Sequence, residues 1–147
     1  MRFYPHVTVA AVVEREGRFL MVRERIDGQI RYNQPAGHLE SGEALLDAVI
    51  RETLEETAWS FLPEAVIGLY RWVGPTNTTF LRVAFSGTAV EHMPNRNLDE
   101  GIEATEWLEP SEVLALGTQL RSPLVAECIA DYLAGYRYPL ELLRELE

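Results

Sequence analysis

Three glutamates, Glu52, Glu55 and Glu56, have a spacing suited to metal chemistry. Positions 0, 3 and 4 share roughly a third of the circumference of a helix with about 3.6 residues per turn. Like charges placed in this way destabilise a helix by about 0.2–0.5 kcal/mol per pair, and the dipole opposes them in its C-terminal half. A divalent cation reverses the sign of that cost. Oxygen donors without Cys or His favour Mg²⁺ or Mn²⁺ over zinc. A solvated acidic face is the alternative.

Residues 37–59 predict the helix that would carry these carboxylates. Ser41 is expected to cap its start, with Glu43 in the first turn. The hydroxyl of Thr53 is expected to donate to a carbonyl one turn back, because this residue falls on the buried face. That face has four residues at helical spacing: Leu46, Val49, Ile50 and Thr53.

An ion-pair ladder is predicted along the same helix. Glu43, Asp47 and Arg51 follow one another at i, i+4 and i+8, so that their charges can brace the helix. The alternative is that Glu43 only favours the helix start.

The charge spacing resembles the signature of the Nudix hydrolases, G-x5-E-x7-R-E-U-x-E-E-x-G-U, where U is a bulky apolar residue. Thr53, Ala58 and Trp59 depart from that pattern. The second glycine normally ends the helix, and Ala disfavours a left-handed turn, so Ala58 leaves the helix exit open. The leading glycine and all the charged positions match: Gly37, Glu43, Arg51, Glu52, Glu55 and Glu56.

This resemblance implies an α/β protein with the Nudix fold, an α/β/α sandwich around a central mixed β-sheet in which the signature is a loop–helix–loop. It implies that Glu52 and Glu56 are the principal metal ligands, with Glu55 as a third and the Gly37 carbonyl beside them. Arg51 would orient the adjoining glutamate through a charge-assisted bond. The expected cofactor is Mg²⁺, with Mn²⁺ as a substitute.

The implied chemistry is hydrolysis of a phosphoanhydride. A water activated by bound cations attacks phosphorus in line, and a carboxylate takes its proton. We favour Glu52 or Glu56 as this general base, and the two remain alternatives.

A later loop offers further candidates for the base. Some Nudix enzymes use a glutamate from a loop near a Trp-containing strand, and the corresponding loop here is residues 99–103, before Trp107. Gly101 occupies the position where relatives often have the acid. Glu103 and Glu100 flank it and are therefore candidates, with surface solvation as the alternative for both.

Five side chains are candidates for binding the substrate. Arg121 precedes the predicted helix start at Ser122, where free N–H groups attract anions. The other arginines lie on predicted strands, and a guanidinium suits bidentate phosphate contact. A surface salt bridge is the alternative for each arginine. The full set is Arg121, Arg23, Arg71, Arg82 and Gln34.

Similarity to one subgroup, the NudJ-type phosphatases, extends along the chain. It rests on residues 5–10 (PHVTVA), 32–40 (YNQPAGHLE), 120–127 (LRSPLVAE) and 136–140 (YRYPL). The resemblance implies a bacterial hydrolase that releases phosphate from nucleoside tri- and diphosphates. It also implies action on thiamine-pathway pyrophosphates, such as hydroxymethylpyrimidine pyrophosphate and thiamine pyrophosphate. A nucleotide-sanitising enzyme that releases pyrophosphate is one alternative, and a non-catalytic nucleotide-sensing module is another.

Length and charge limit the remaining possibilities. The 147 residues predict a single domain, and the net charge of −10 argues against binding of a nucleic-acid duplex. A lone cysteine, Cys128, allows no internal disulfide and fits a cytoplasmic location. We expect neither a signal peptide nor membrane association. The expected partner is a small phosphoanhydride substrate, bound by a monomer or a homodimer.

The predicted elements alternate between strands and helices. Residues 62–64 read as a linker, and Pro35 is expected to stop strand pairing. Short helices are predicted from Pro110 and from Ser122 to about Leu133. Strands are predicted at residues 6–13, 18–23, 30–34, 65–73, 79–90 and 104–108.

Overall fold

A seven-stranded mixed sheet forms the centre of the fold in the computed structural model, which describes residues 2–146. The strands are β1 (His6–Arg15), β2 (Arg18–Ile26), β3 (Gln29–Asn33), β4 (Ala36–His38), β5 (Trp59–Val73), β6 (Thr79–His92) and β7 (Ile102–Leu108). The α-helices are α1 (Leu45–Thr57), α2 (Pro110–Ala115) and α3 (Pro123–Leu133), and 3₁₀ turns cover Gly117–Gln119 and Leu140–Leu142.

The pairing of β1 organises the sheet. The strand order is β3-β2-β1-β6-β5, with β4 also paired to β1 and β7 to β2. β1 runs parallel to β6, and the other pairs are antiparallel. The expected mixed sheet is therefore confirmed.

Alternate residues of β1 enter two separate cores, as the two faces of a covered strand require. Val9, Ala11 and Val13 pack on the α1 side with Ala48 and Val49. Val12 packs in the other core, which includes three residues of α3: Val125, Cys128 and Ile129. Helices thus cover both faces of the sheet, as the resemblance implied.

The start of α1 differs from the prediction. The helix begins at Leu45, and no side chain of its N-cap residue caps it. Ser41 and Gly42 form a preceding turn, with Gly42 at φ +75°, so Ser41 is too early to cap the helix. The carboxylate of Glu145 instead accepts a hydrogen bond from the Leu45 N–H at 3.2 Å. The capping group comes from the far end of the chain.

The end of α1 retains the turn that glycine usually makes. Ala58 adopts a left-handed conformation at φ +61°, and its N–H donates to the Leu54 carbonyl at 2.9 Å. The Thr53 hydroxyl donates to the Val49 carbonyl at 2.7 Å, which confirms the expected bond one turn back. The departures from the signature therefore leave the helix and its exit intact.

One strand boundary differs from the prediction. Residues 62–64 are not a linker, because β5 is continuous from Trp59 to Val73. Pro63 lies at a register shift on this edge strand, where the missing N–H costs least. Pro35 follows the end of β3 at Asn33, so the expected stop of that strand is confirmed. The Pro35 carbonyl accepts from the Ala11 N–H at 2.9 Å, and β4 follows at once.

Candidate active site

The backbone of β4 lies against the carboxylates of Glu52 and Glu56. The Ala36 N–H donates to the Glu56 Oε1 at 2.9 Å. A β-carbon on Gly37 would lie only 2.1 Å from the Glu52 carboxyl carbon. The glycine is needed here because a side chain would occupy the space of the carboxylate.

Arg51 links the acidic side chains of α1. One of its terminal nitrogens donates to Glu52 at 2.8 Å and to Glu55 at 3.2 Å. Its Nε and other terminal nitrogen donate to Glu43 at 2.6 and 2.9 Å. Arg51 thereby lowers the pKa of Glu43. The predicted Glu43–Arg51 pair is present, although Asp47 makes no ion pair within residues 2–146.

The loop between β6 and β7 adds Asp99, which is not among the predicted site residues. The Asp99 N–H donates to the Glu55 carbonyl at 3.0 Å, which ties the loop to α1. Oxygen atoms of Glu52, Glu55 and Asp99 all lie within 4.8 Å of one another. The sequence shows an acidic loop at residues 99–103, but nothing in it distinguishes Asp99 from Glu100 and Glu103.

Glu103, from the same acidic run, lies in a different environment. Its carboxylate accepts from Arg25 Nε at 2.8 Å and lies 3.6 Å from Arg23 Nε. The structure therefore places Glu103 in an ion-pair group with strand β2 and does not bring it to the α1 carboxylates.

Burial dominates the electrostatics of the two inner glutamates. Desolvation raises the pKa of Glu56 to about 9; the hydrogen bond from Ala36 lowers it, and Glu52, Glu24 and Asp99 add smaller upward contributions. Burial also raises the pKa of Glu52, although Arg51 opposes that shift. Carboxylates in this state bind protons readily, and a divalent cation can replace those protons.

A cavity of about 760 Å³ opens beside these carboxylates. Its lining includes Gly37, Glu52 and Glu56 together with Arg82 and Arg121. Two aromatic residues at the wall, Trp72 and Phe80, stack on each other with centroids 5.5 Å apart. The cavity thus presents acidic, basic and aromatic surfaces together.

The substrate-binding candidates separate into two groups. Arg82 and Arg121 line the cavity, and the buried Gln34 side chain accepts a hydrogen bond from Arg82 at 3.0 Å. Arg121 donates to Glu24 at 3.1 Å. Arg23 and Arg71 do not belong to the cavity lining: Arg23 lies near Glu103, and Arg71 is exposed on β5.

The glycine-led helix of carboxylates on a mixed sheet defines a class of hydrolases, and comparison with known proteins identifies it. The NUDIX domain family model matches residues 4–128, so the chain belongs to the Nudix family. It is a hydrolase that acts on small-molecule phosphoanhydrides, in a family that generally uses divalent metal ions. Within residues 2–146, no helix is both long enough and apolar enough to span a membrane.

Individual relatives confirm the resemblance to the NudJ-type phosphatases. The chain is 46% identical over 141 residues to proteins named Phosphatase NudJ in Escherichia coli K12 and in Shigella flexneri, covering 96% of this chain and 92% of each relative. A NUDIX hydrolase structure from Nitrosomonas europaea is 48% identical with a TM-score of 0.95, covering 97% of this chain and 98% of that one. The dihydroneopterin triphosphate pyrophosphohydrolase of E. coli is 19% identical with a TM-score of 0.68, covering 87% of this chain and 94% of that one, and shares the fold alone.

Replacing Gly37 with Ala is expected to displace the Glu52 carboxylate, because the added β-carbon would lie 2.1 Å from its carboxyl carbon. Affinity for Mn²⁺ should fall by roughly 10- to 100-fold, as for other changes that misplace a ligand. Calorimetric titration measures the affinity, and circular dichroism checks that the sheet persists. An unchanged affinity in a folded variant would contradict the assignment of Gly37 and Glu52.

The metal-free protein is expected to lose stability as pH rises. Burial raises the pKa of Glu56 from 4.5 to about 9, so the folded protein holds a proton that the unfolded chain releases in this range. The contribution of Glu56 to the free energy of unfolding is complete below pH 4.5. It declines toward pH 9, by at most about 1.4 kcal/mol per pH unit.

Denaturant unfolding in a chelator at several pH values between 5 and 9 measures this dependence. Glu56→Gln removes the titrating group and should flatten the curve. If the free energy of unfolding of the wild type has the same pH dependence as that of the variant, Glu56 ionises normally.

Proposed function

We propose that the protein uses Mg²⁺ to release orthophosphate from nucleoside di- and triphosphates and from thiamine-pathway pyrophosphates, including hydroxymethylpyrimidine pyrophosphate and thiamine pyrophosphate. The observation that carries the proposal is the group of acidic oxygens from Glu52, Glu55 and Asp99, within 4.8 Å of one another. Glu52 also lines a cavity that contains two arginines. The name Phosphatase NudJ of these relatives supports release of phosphate, and the substrate classes are those that the sequence resemblance implied.

Oxygen ligands fit the proposed cation. Glu52, Glu55, Glu56 and Asp99, with the Gly37 carbonyl, would hold Mg²⁺ or Mn²⁺, since hard cations prefer oxygen. When bound, the cation screens phosphate charge and lowers the pKa of a coordinated water.

Protein groups provide the remaining steps. Arg51 holds Glu52 and Glu55 in place through bonds of 2.8 and 3.2 Å. Either Glu52 or Glu56 takes the proton of the attacking water. Glu103 is the weaker candidate because its carboxylate is engaged by Arg25.

Product analysis tests the reaction. Each candidate substrate is incubated with Mg²⁺ or with a chelator, and orthophosphate and pyrophosphate are measured separately. We expect orthophosphate as the first product, only with the cation. Pyrophosphate with a monophosphate would instead establish the nucleotide-sanitising reaction, and binding without turnover would establish a sensing module.

A matched pair of variants tests the site. Glu56→Gln should lower kcat by about 10²- to 10⁴-fold, the range expected when a proton-transfer group is lost. Glu64→Gln, an exposed change on β5, provides the control and should leave kcat unchanged. Full turnover by the Glu56 variant would refute the assignment.

A further inference from the structure

Arg82 is a buried cation in the middle of the sheet. It lies on β6, in register with Thr8 of β1 and Tyr70 of β5. Only 5% of the residue is exposed, yet it contributes to the lining of the cavity beside the α1 carboxylates. Removal of a charge from water is costly unless an opposite charge compensates it. Arg82 is therefore expected to have a counter-ion.

Neutral groups alone contact the Arg82 guanidinium among residues 2–146. It donates to the Gln34 Oε1 at 3.0 Å, to the Asn33 Oδ1 at 3.3 Å and to the Cys128 Sγ at 3.9 Å. Its Nε is buried and has no hydrogen-bond partner in this part of the chain. No carboxylate of the described residues forms a salt bridge with it. The amide oxygens orient the guanidinium without neutralising it.

The start of α3 adds positive potential to the lining of the cavity. Ser122 and Leu124, at this helix start, line the cavity, as does Arg121. The helix has 11 residues, and its N-terminal end carries partial positive charge. Arg121 is already paired with Glu24 at 3.1 Å, so of these two lining arginines Arg82 is the one that lacks a carboxylate partner among residues 2–146.

We infer that Arg82 binds the phosphate of the substrate that is not attacked, while the reacting phosphoryl group would lie at the cation that the α1 carboxylates would hold. This inference rests on the proposed function and adds a recognition site for a second phosphate. A guanidinium suits bidentate contact with phosphate oxygens. Asn33 and Gln34 are positioning residues that fix the guanidinium for this contact. Free orthophosphate has the same chemistry and can occupy the same site.

Pyrophosphate binding in a chelator tests the subsite without any requirement for turnover. Calorimetry compares the wild type with Arg82→Gln, Arg82→Lys and Arg18→Gln. Arg82→Gln should weaken binding by about 10- to 100-fold, the range for hydrogen bonds to charged groups, and Arg82→Lys should weaken it less. Arg18→Gln makes the same change in net charge at an exposed site and should bind as the wild type does. Equal affinity in the wild type and Arg82→Gln would overturn the inference.

Asn33→Asp tests the missing counter-ion directly. It is nearly isosteric and places a carboxylate where the amide oxygen now lies 3.3 Å from Arg82. Pyrophosphate binding should fall about as far as in Arg82→Gln, while the thermal midpoint stays at or above the wild-type value. Unchanged pyrophosphate affinity in Asn33→Asp would overturn the inference, since Asn33 also lines the cavity. This variant also keeps the test decisive if Arg82→Gln fails to fold.

Steady-state kinetics separates the two phosphate positions. Arg82→Gln should raise KM by about 10- to 100-fold with kcat within roughly threefold of the wild type, since it removes contact with a phosphate that does not react. A fall in kcat at constant KM would overturn the assignment.

Inhibition by orthophosphate provides a second test. Competitive inhibition supports the assignment of Arg82, and orthophosphate binding at Arg82 without an effect on KM contradicts that assignment. If pyrophosphate binding depends on Arg82 but no substrate is hydrolysed, the proposed function fails and the phosphate site stands.

Discussion

Mutual repulsion among carboxylates is the constraint on which this structure depends. Glu52, Glu55 and Asp99 bring oxygens within 4.8 Å of one another, and Glu56 lies beside them, largely removed from water. Arg51 compensates part of the negative charge, yet burial still raises the pKa of both inner glutamates. The remaining charge requires protons or a divalent cation. The contacts from β4 and from the loop before β7 hold the acidic groups together despite this repulsion.

Strand β1 determines how the acidic and basic groups meet. Val9 of β1 is in register with Gly37, next to the carboxylates, whereas Thr8 is in register with Arg82 on the other side. On one side of β1, therefore, lies a strand that approaches the α1 carboxylates, and on the other side lies a strand that supplies a cation. The separation of charge across the cavity follows from sheet pairing, which fixes both positions more firmly than loops would.

Sequence spacing predicts the features that are formed by residues close to one another in the chain. The α1 carboxylates, the Glu43–Arg51 pair and the two-sided burial of β1 all follow from periodicity. Contacts between distant parts of the chain could not be predicted in this way. The cap of α1 comes from Glu145, 100 residues from Leu45, and the amide that orients Arg82 lies 48 residues away. Asp99 was missed because its selection depends on one bond to α1, which no pattern in the loop indicates.

Metal binding coupled to proton release tests the central claim most directly. Mn²⁺ is titrated calorimetrically into metal-free protein at pH 7.5, in two buffers with different ionisation enthalpies. Because the pKa of Glu56 is about 9, we expect binding to release roughly one proton per protein, and the release to decline as pH approaches 10. Binding with no proton release, or no binding at all, would contradict the view that buried, protonated carboxylates are the metal ligands.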